Sequence, residues 1–221
     1  MLDKKTRYLQ IAFNGDISSV RRILPSIPFH DRILIEAGTP YIKRAGFAGI
    51  REIASIWKGT IVADLKTMDG ALGEVQLAAE AGAGAATVLG AAPTETIDLF
   101  IENCAKLGID PMIDMIGIEE PWKVLRGLRR PPSVVILHKG RDEEETRGKV
   151  IGYKNVKKIR SKYDVLISAA GGVDLREARS AIFNGASIVV VNIVGEDEPW
   201  TGIKATEDVA GMARMFLETI E

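Results

Sequence analysis

The stretch Asp64-Leu65-Lys66-Thr67-Met68-Asp69 sets two carboxylates and an ammonium close together, directly after the apolar run Ile61-Val62-Ala63. Such a run reads as a strand, and strand side chains alternate. Asp64 and Lys66 therefore project to the same side at its carboxyl end, with Asp69 just beyond the turn. Burying an acid and a base there costs several kcal/mol unless they are paired or hold a ligand. The cluster is a reaction site or, failing that, an ion pair that ties a loop to the sheet. A second apolar run ends in Glu36, within Leu34-Ile35-Glu36-Ala37-Gly38-Thr39-Pro40. On a strand beside Asp64, Glu36 would complete a pair of hard oxygen ligands of the kind Mg²⁺ takes while keeping several waters; alone it could equally be a salt-bridge partner. His138, in Ile136-Leu137-His138-Lys139-Gly140-Arg141-Asp142, shares the inward parity of Val134 and Ile136. An imidazole so placed is a candidate proton shuttle, or else a satisfied structural histidine. His30 precedes a strand and is expected to be solvated. Asp114, in Met112-Ile113-Asp114-Met115, is another carboxylate at a strand end, suited either to orienting a neighbour or to a structural pair.

These residues need a frame that gathers strand ends. Short apolar runs rich in Val and Ile recur along the chain at residues 8–13, 32–36, 60–65, 85–89, 111–115, 133–138, 164–169 and 187–193, each followed by a longer amphipathic segment. Repeated βα units with nearly continuous apolar strands imply a parallel sheet covered by helices. Eight units predict closure into a single (β/α)8 TIM barrel over residues 1–221, with an open doubly wound sheet as the alternative. Gly and turn residues follow the strand ends, where barrels keep their chemistry. Gly171-Gly172-Val173 follows the seventh strand, a usual place for backbone N–H groups to meet a phosphate. Pro40 and Pro93 suit first helical turns, and residues 71–81 are strong helix formers that stop at Gly82. The charged run 141–149 reads as a solvated loop or helix face.

Composition narrows the function classes. Among 221 residues, 46% are hydrophobic and 27% charged, and the formal net charge is −1, so no global field recruits nucleic acid or an anionic membrane. No apolar run is long enough to span a bilayer. The N-terminal residues do not form a secretory signal. A single cysteine, Cys104, can build neither an internal disulfide nor a thiolate metal site. These features suit a cytoplasmic protein.

The motif Asp64-x-Lys66-x-x-Asp69 resembles the hallmark of the orotidine-monophosphate-decarboxylase suprafamily. Within it the chain is most similar to the 3-hexulose-6-phosphate synthase and 3-keto-L-gulonate-6-phosphate decarboxylase branches. The similar stretches are 35–40, 62–69, 87–90, 138–142 and 170–172. The resemblance implies a carbon–carbon lyase acting through an enediolate on a sugar phosphate, with Mg²⁺ on Glu36 and Asp64. It implies that Lys66 adds positive charge to the enediolate, that His138 moves protons at carbon 1, and that Asp69 reaches into the partner's site in a homodimer with composite active sites. The favoured reaction is that of the synthase, joining ribulose 5-phosphate and formaldehyde or running in reverse. A keto-sugar-phosphate decarboxylase or altered-substrate member is the alternative, and a degenerate ligand-binding barrel is the alternative of another class.

Three positions depart from the family pattern. Asn14 stands where the first strand usually ends in Asp, keeping hydrogen-bonding capacity without charge. Arg141, which the resemblance counts among the catalytic residues, is more typical of the decarboxylase and leaves the reaction divided between carbon–carbon bond formation with formaldehyde and loss of CO₂. After the eighth strand, where the family usually has Gly-Arg or Gly-Gly to receive phosphate, this chain reads Asn192-Ile193-Val194-Gly195-Glu196-Asp197-Glu198-Pro199-Trp200. Carboxylates repel a phosphate dianion. Either Glu196, Asp197 and Glu198 therefore turn outward while the phosphate rests on N–H groups of Gly171, Gly172 and Gly195, which is the favoured expectation, or the substrate has no phosphate there.

Overall fold

The computed structural model describes residues 1–147 and 150–221; Gly148 and Lys149, the end of the charged run, lie outside the described residues. Strands β1 (Tyr8–Phe13), β2 (Ile33–Ala37), β3 (Ile61–Thr67), β4 (Ala85–Leu89), β5 (Asp110–Asp114), β6 (Val134–His138), β7 (Leu166–Ala170) and β8 (Ile188–Val194) pair in sequence order. β1 also pairs with β8 in parallel, Leu9 opposite Val189 and Ile11 opposite Val191. That pairing closes the sheet into the expected (β/α)8 barrel and excludes the open sheet. Outside it lie α1 (Ile17–Ile23), α2 (Thr39–Ile56), α3 (Ala71–Glu80), α4 (Thr94–Leu107), α5 (Pro121–Gly127), α6 (Arg141–Arg147), α7 (Val156–Arg160), α8 (Leu175–Phe183) and α9 (Val209–Thr219).

Strand parity decides what each face buries. In β1, Leu9, Ile11 and Phe13 belong to the large core between barrel and helices, whereas Tyr8 and Ala12 belong to a smaller core inside the barrel with Leu34, Val62, Met112 and Ile188. Burying both faces accounts for the continuous apolar runs. The long helices answer with an apolar stripe, as in α4, where Ile97, Phe100, Ile101 and Cys104 are buried at helical spacing. Side-chain caps fix some helix starts, as where Asp174 accepts from the Glu177 N–H at 2.7 Å, a contact worth about 1 kcal/mol.

The differences from the sequence reading are local. β7 starts at Leu166 rather than at residue 164, and Pro93 is the N-cap of α4 rather than part of its first turn. The segment between β6 and β7 forms two short helices. A two-residue strand β9 (Ile203–Lys204), which no periodicity announces, pairs with β8 at Ile193 and Val194. No helix among the described residues is long and apolar enough to cross a membrane.

Candidate active site

Following the inward-facing parity toward the carboxyl ends of the strands, apolar side chains give way to polar ones: Glu36 after Leu34, Asp64 after Val62, Thr87 after Ala85, Asp114 after Met112 and His138 after Ile136. They line one cavity of about 290 Å³. The barrel supplies the convergence, because each strand needs to contribute only its last inward residue.

Lys66 reaches this cavity by a route that simple alternation does not describe. Between Ala63 and Thr67 the β3–β4 register shifts, and Lys66 has φ 48°, the one positive φ at a non-glycine residue among those described. A bulge of this kind re-aims a side chain at a conformational cost that a functional site can justify. It is pinned by the Lys66 N–H, which donates to Thr87 Oγ1 at 2.9 Å. The ammonium then lies 3.0 Å from Asp64 and 2.5 Å from Asp114. Thr87 Oγ1 donates to Asp64 Oδ1 at 2.8 Å, and the Thr39 hydroxyl lies 2.8 Å from Oδ2.

Asp114 is the hub. Its Oδ2 meets Lys66 Nζ and, at 2.8 Å, His138 Nδ1, while Oδ1 accepts the Ile116 N–H at 2.9 Å. Burial alone would push its carboxyl up, but His138 and then Lys66 hold it well below the usual carboxylate range. Burial likewise opposes charge on Lys66, and Asp64 and Asp114 overcome it to raise the ammonium above lysine's ordinary value. An ionised Asp114 fixes Nδ1 of His138 as the protonated nitrogen and leaves Nε2 as the basic one. Of the two roles open to Asp114 in the sequence, orienting its neighbours is the one its contacts serve.

Glu36 is 8% exposed, and Gln10 Nε2 donates to its Oε2 at 2.5 Å. Burial first, and the charge of Asp64 second, push its carboxyl up to about 8. Two carboxylates that face one cavity and repel each other are a donor set that a divalent cation would relieve. Among the described residues no group of three or more His, Cys, Asp or Glu is arranged to hold a metal; two carboxylates alone could hold only an ion that keeps most of its waters.

The β7–β8 side differs. Gly171 and Gly172 line the cavity with consecutive positive φ values of 102° and 61°. A side chain at Gly171 would place its Cβ 2.0 Å from the Lys139 carbonyl oxygen, so this turn requires glycine. Asn14 Nδ2 donates to Asn192 Oδ1 at 3.0 Å across the β1–β8 seam. Gly195 does not serve as expected: its N–H donates to Glu198 Oε2 at 2.6 Å and is occupied. Glu196 and Asp197 are exposed as expected, whereas Glu198 turns back onto its own loop. Lys204 Nζ braces that loop through the carbonyls of Gly195, Glu196 and Glu198 at 3.2, 3.3 and 2.8 Å. Arg141 lines the cavity with its guanidinium 3.9 Å from the ring centroid of Trp200, which also lines it.

Asp69 is exposed and is not among the cavity-lining residues, so within one chain the three charges of the motif do not converge. Its side chain follows the bulge and turn, leaving Asp64 and Lys66 as the pair. Sequence reasoning missed Gln10, Thr39, Thr87 and Trp200. The first and third carried a signal, a polar residue at inward parity in an apolar strand; Trp200 sits in an aperiodic loop and carried none.

Comparison with known proteins bears on family and fold. The model of the Orotidine 5'-phosphate decarboxylase / HUMPS family matches residues 16–201. A bifunctional enzyme Fae/Hps from Methanothrix thermoacetophila is 38% identical over 216 residues, covering 97% of this chain and 53% of that protein. One from Methanocella arvoryzae is 37% identical over 218 residues, again 97% of this chain and 53% of the relative. The chain thus spans about half the length of the curated relatives it matches. Among solved structures, 3-hexulose-6-phosphate synthase from Salmonella typhimurium superposes with a TM-score of 0.84 at 25% identity, covering 96% of this chain and 98% of that one. KGPDC from Streptococcus mutans gives 0.77 at 19% identity over 97% of both chains, a likeness of fold.

Proposed function

Because the chain belongs to the Orotidine 5'-phosphate decarboxylase / HUMPS family, we propose that it is a carbon–carbon lyase working through an enediolate on a sugar phosphate. Its reaction on this reading is the joining of ribulose 5-phosphate and formaldehyde, or the reverse, as in the synthase it resembles. The observation that carries the reading is one carboxylate, Asp114, holding both the Lys66 ammonium and the His138 imidazole at the cavity that Glu36 and Asp64 line.

The residues divide the work as follows. His138 Nε2 takes a proton from carbon 1 of the ketose, and the electron pair moves onto the carbonyl at carbon 2 to give the enediolate. Lys66, kept charged by Asp64 and Asp114, presents fixed positive charge to that developing oxyanion without reorganising. Carbon 1 then attacks the carbon of formaldehyde, and the new alkoxide takes the proton back from His138. Glu36 and Asp64 would hold Mg²⁺, whose chemistry is that of a Lewis acid toward substrate oxygens. Thr39 and Thr87 fix the Asp64 carboxylate from either side, so its orientation does not depend on substrate.

Asp69 completes the site of a partner subunit on this reading. It lies between Met68 and Leu72, both exposed, and exposed Leu99 lies on α4, whose Asn103 bonds the Leu72 carbonyl at 3.1 Å. An apolar surface of this kind suits coverage by a second copy. Mixing Lys66→Ala with Asp69→Ala subunits should restore one intact site per heterodimer; no recovery after verified subunit exchange would confine each site to one chain.

The deciding assay follows formaldehyde consumption with ribulose 5-phosphate, with and without chelator. Activity that disappears in excess chelator and returns with Mg²⁺ is expected. Full activity in chelator would remove the metal from the reading. Arg141 in the cavity favours a second reading, loss of CO₂ from a keto-sugar phosphate through the same enediolate. Turnover of 3-keto-L-gulonate 6-phosphate with no formaldehyde chemistry would establish it instead.

A further inference from the structure

We propose that Arg141, held over the indole ring of Trp200, receives the phosphoryl group of the substrate together with the backbone of Gly171 and Gly172. This rests on the sugar-phosphate reading and assigns the anionic end that the eighth loop leaves open. Sheet order supplies the geometry. β7 lies between β6 and β8; Arg141 follows β6 and Trp200 follows β8. In sheet order Arg141 and Trp200, 3.9 Å apart, thus come from either side of β7, which Gly171 and Gly172 follow with positive φ. All four residues line the same cavity.

Three other donors near this end are committed elsewhere, whereas the buried Trp200 Nε1–H has no hydrogen-bond partner among the described residues. The Gly195 N–H is held by Glu198, Lys204 braces three carbonyls of its own loop, and Lys66 is shared by Asp64 and Asp114. Gly171 and Gly172 lie just past the end of β7 and line the cavity. Stacking engages the π face of a guanidinium and leaves its N–H fork in the plane, the edge that matches phosphate oxygens two at a time. The indole also shields one face of Arg141 from water, which strengthens its attraction for an anion. Trp200 acts here as a positioning residue, setting the plane of Arg141 without touching the reacting carbons.

The test is calorimetric binding of ribulose 5-phosphate and of unphosphorylated ribulose to the full chain, with steady-state kinetics alongside. Trp200→Ala and Arg141→Gln should each weaken ribulose 5-phosphate about tenfold or more, the loss expected for a charge-assisted pair. KM should rise with kcat nearly unchanged, and ribulose binding should not move. Trp200→Phe keeps a ring face and should restore most of the affinity. If Trp200→Ala fails to fold by circular dichroism, Arg141→Gln and Trp200→Phe carry the test. Wild type preferring the phosphorylated sugar, with Arg141→Gln binding it as tightly, would overturn the clamp and leave the sugar-phosphate reading standing. Wild type binding both sugars equally would remove the clamp together with that reading.

Discussion

The two sides of the barrel mouth are built on different terms. From β2 to β6 every functional group is borne by a strand or by the residue next to one, and each carboxylate is held by at least one neighbour: Glu36 by Gln10, Asp64 by Thr39, Thr87 and Lys66, Asp114 by Lys66, His138 and the Ile116 N–H. From β7 to β8 the strands contribute Ala170, Val190 and Asn192, with Gly171 and Gly172 just past β7, and a braced loop provides the rest. Charge that must face a developing oxyanion gains from rigidity, because donors already oriented spend nothing on turning at the moment of reaction. A distant anionic group needs to be received but not transformed, and a loop can do that in more than one way. On the proposed reading, the difference puts the reaction type on the strand-borne side and leaves the choice of substrate open to change on the other.

Breaking the rigid side should give the largest effects. Lys66→Met leaves Asp64 and Asp114 facing each other without their shared cation, and should cost about 3–5 kcal/mol of stability, the scale for breaking a buried ion pair. It should also lower kcat by roughly 10³-fold or more, the loss of a preorganised charge at an oxyanion. Chemical denaturation and steady-state kinetics on the same preparation check both. A variant that folds as well as wild type would mean that the lysine is strained into place for chemistry alone.

His138→Gln should follow, with kcat down by roughly 10²–10⁴, the range for removing a general base, and with little change in substrate affinity. Exchange of the carbon 1 proton with deuterated water, read by NMR without formaldehyde, isolates the step. Undiminished exchange in the variant would move the base elsewhere and break the link between Asp114 and proton transfer.

The same division governs what the sequence disclosed. Inward parity and strand ends put Glu36, Asp64, Lys66 and His138 into one site because a closed parallel barrel leaves few other places for polar residues at those positions. Asp114 was visible as a strand-end carboxylate, but its partners lie 48 and 24 residues away along the chain, and only closure reveals such pairs. Alternation put Lys66 on the correct side for an incomplete reason, since the bulge and the positive φ aim it. In the eighth loop, Gly195 reads as a phosphate donor and Glu198 as a repelled charge, yet the two satisfy each other. Local capping within a loop depends on torsions that no period encodes. Trp200 was silent for the same reason.

A pH series sharpens the comparison at Glu36. Folding raises this carboxyl from its ordinary 4.5 to about 8, so between those values the folded chain keeps a proton that the unfolded chain has released. Stability of the metal-free protein should therefore fall as pH rises through that window, by something on the order of a few kcal/mol. Glu36→Gln should flatten the slope. Mg²⁺ at pH 8 should restore stability to wild type and not to the variant. An unchanged slope in Glu36→Gln would show that the carboxylate is relieved by something other than a proton or a cation.

The smallest effect belongs to the open side. Glu196 and Asp197 are exposed, whereas Glu198 is folded onto the Gly195 N–H. Exposed charges interact with a bound anion through water and salt, and beyond about 8 Å at physiological ionic strength they are largely screened. The double variant Glu196→Gln/Asp197→Asn should thus change stability by less than about 0.5 kcal/mol and KM by less than about twofold, with the small gain in affinity vanishing at high salt. Glu198→Gln should do more than both together, because it weakens the acceptor that occupies Gly195 and loosens the loop carrying Trp200. If the exposed pair instead improved ribulose 5-phosphate binding tenfold in a salt-independent manner, the two carboxylates would have to face the anion directly. The acidic loop would then be a selector against phosphate, and the β7–β8 side of the mouth would be specifying a substrate of different charge.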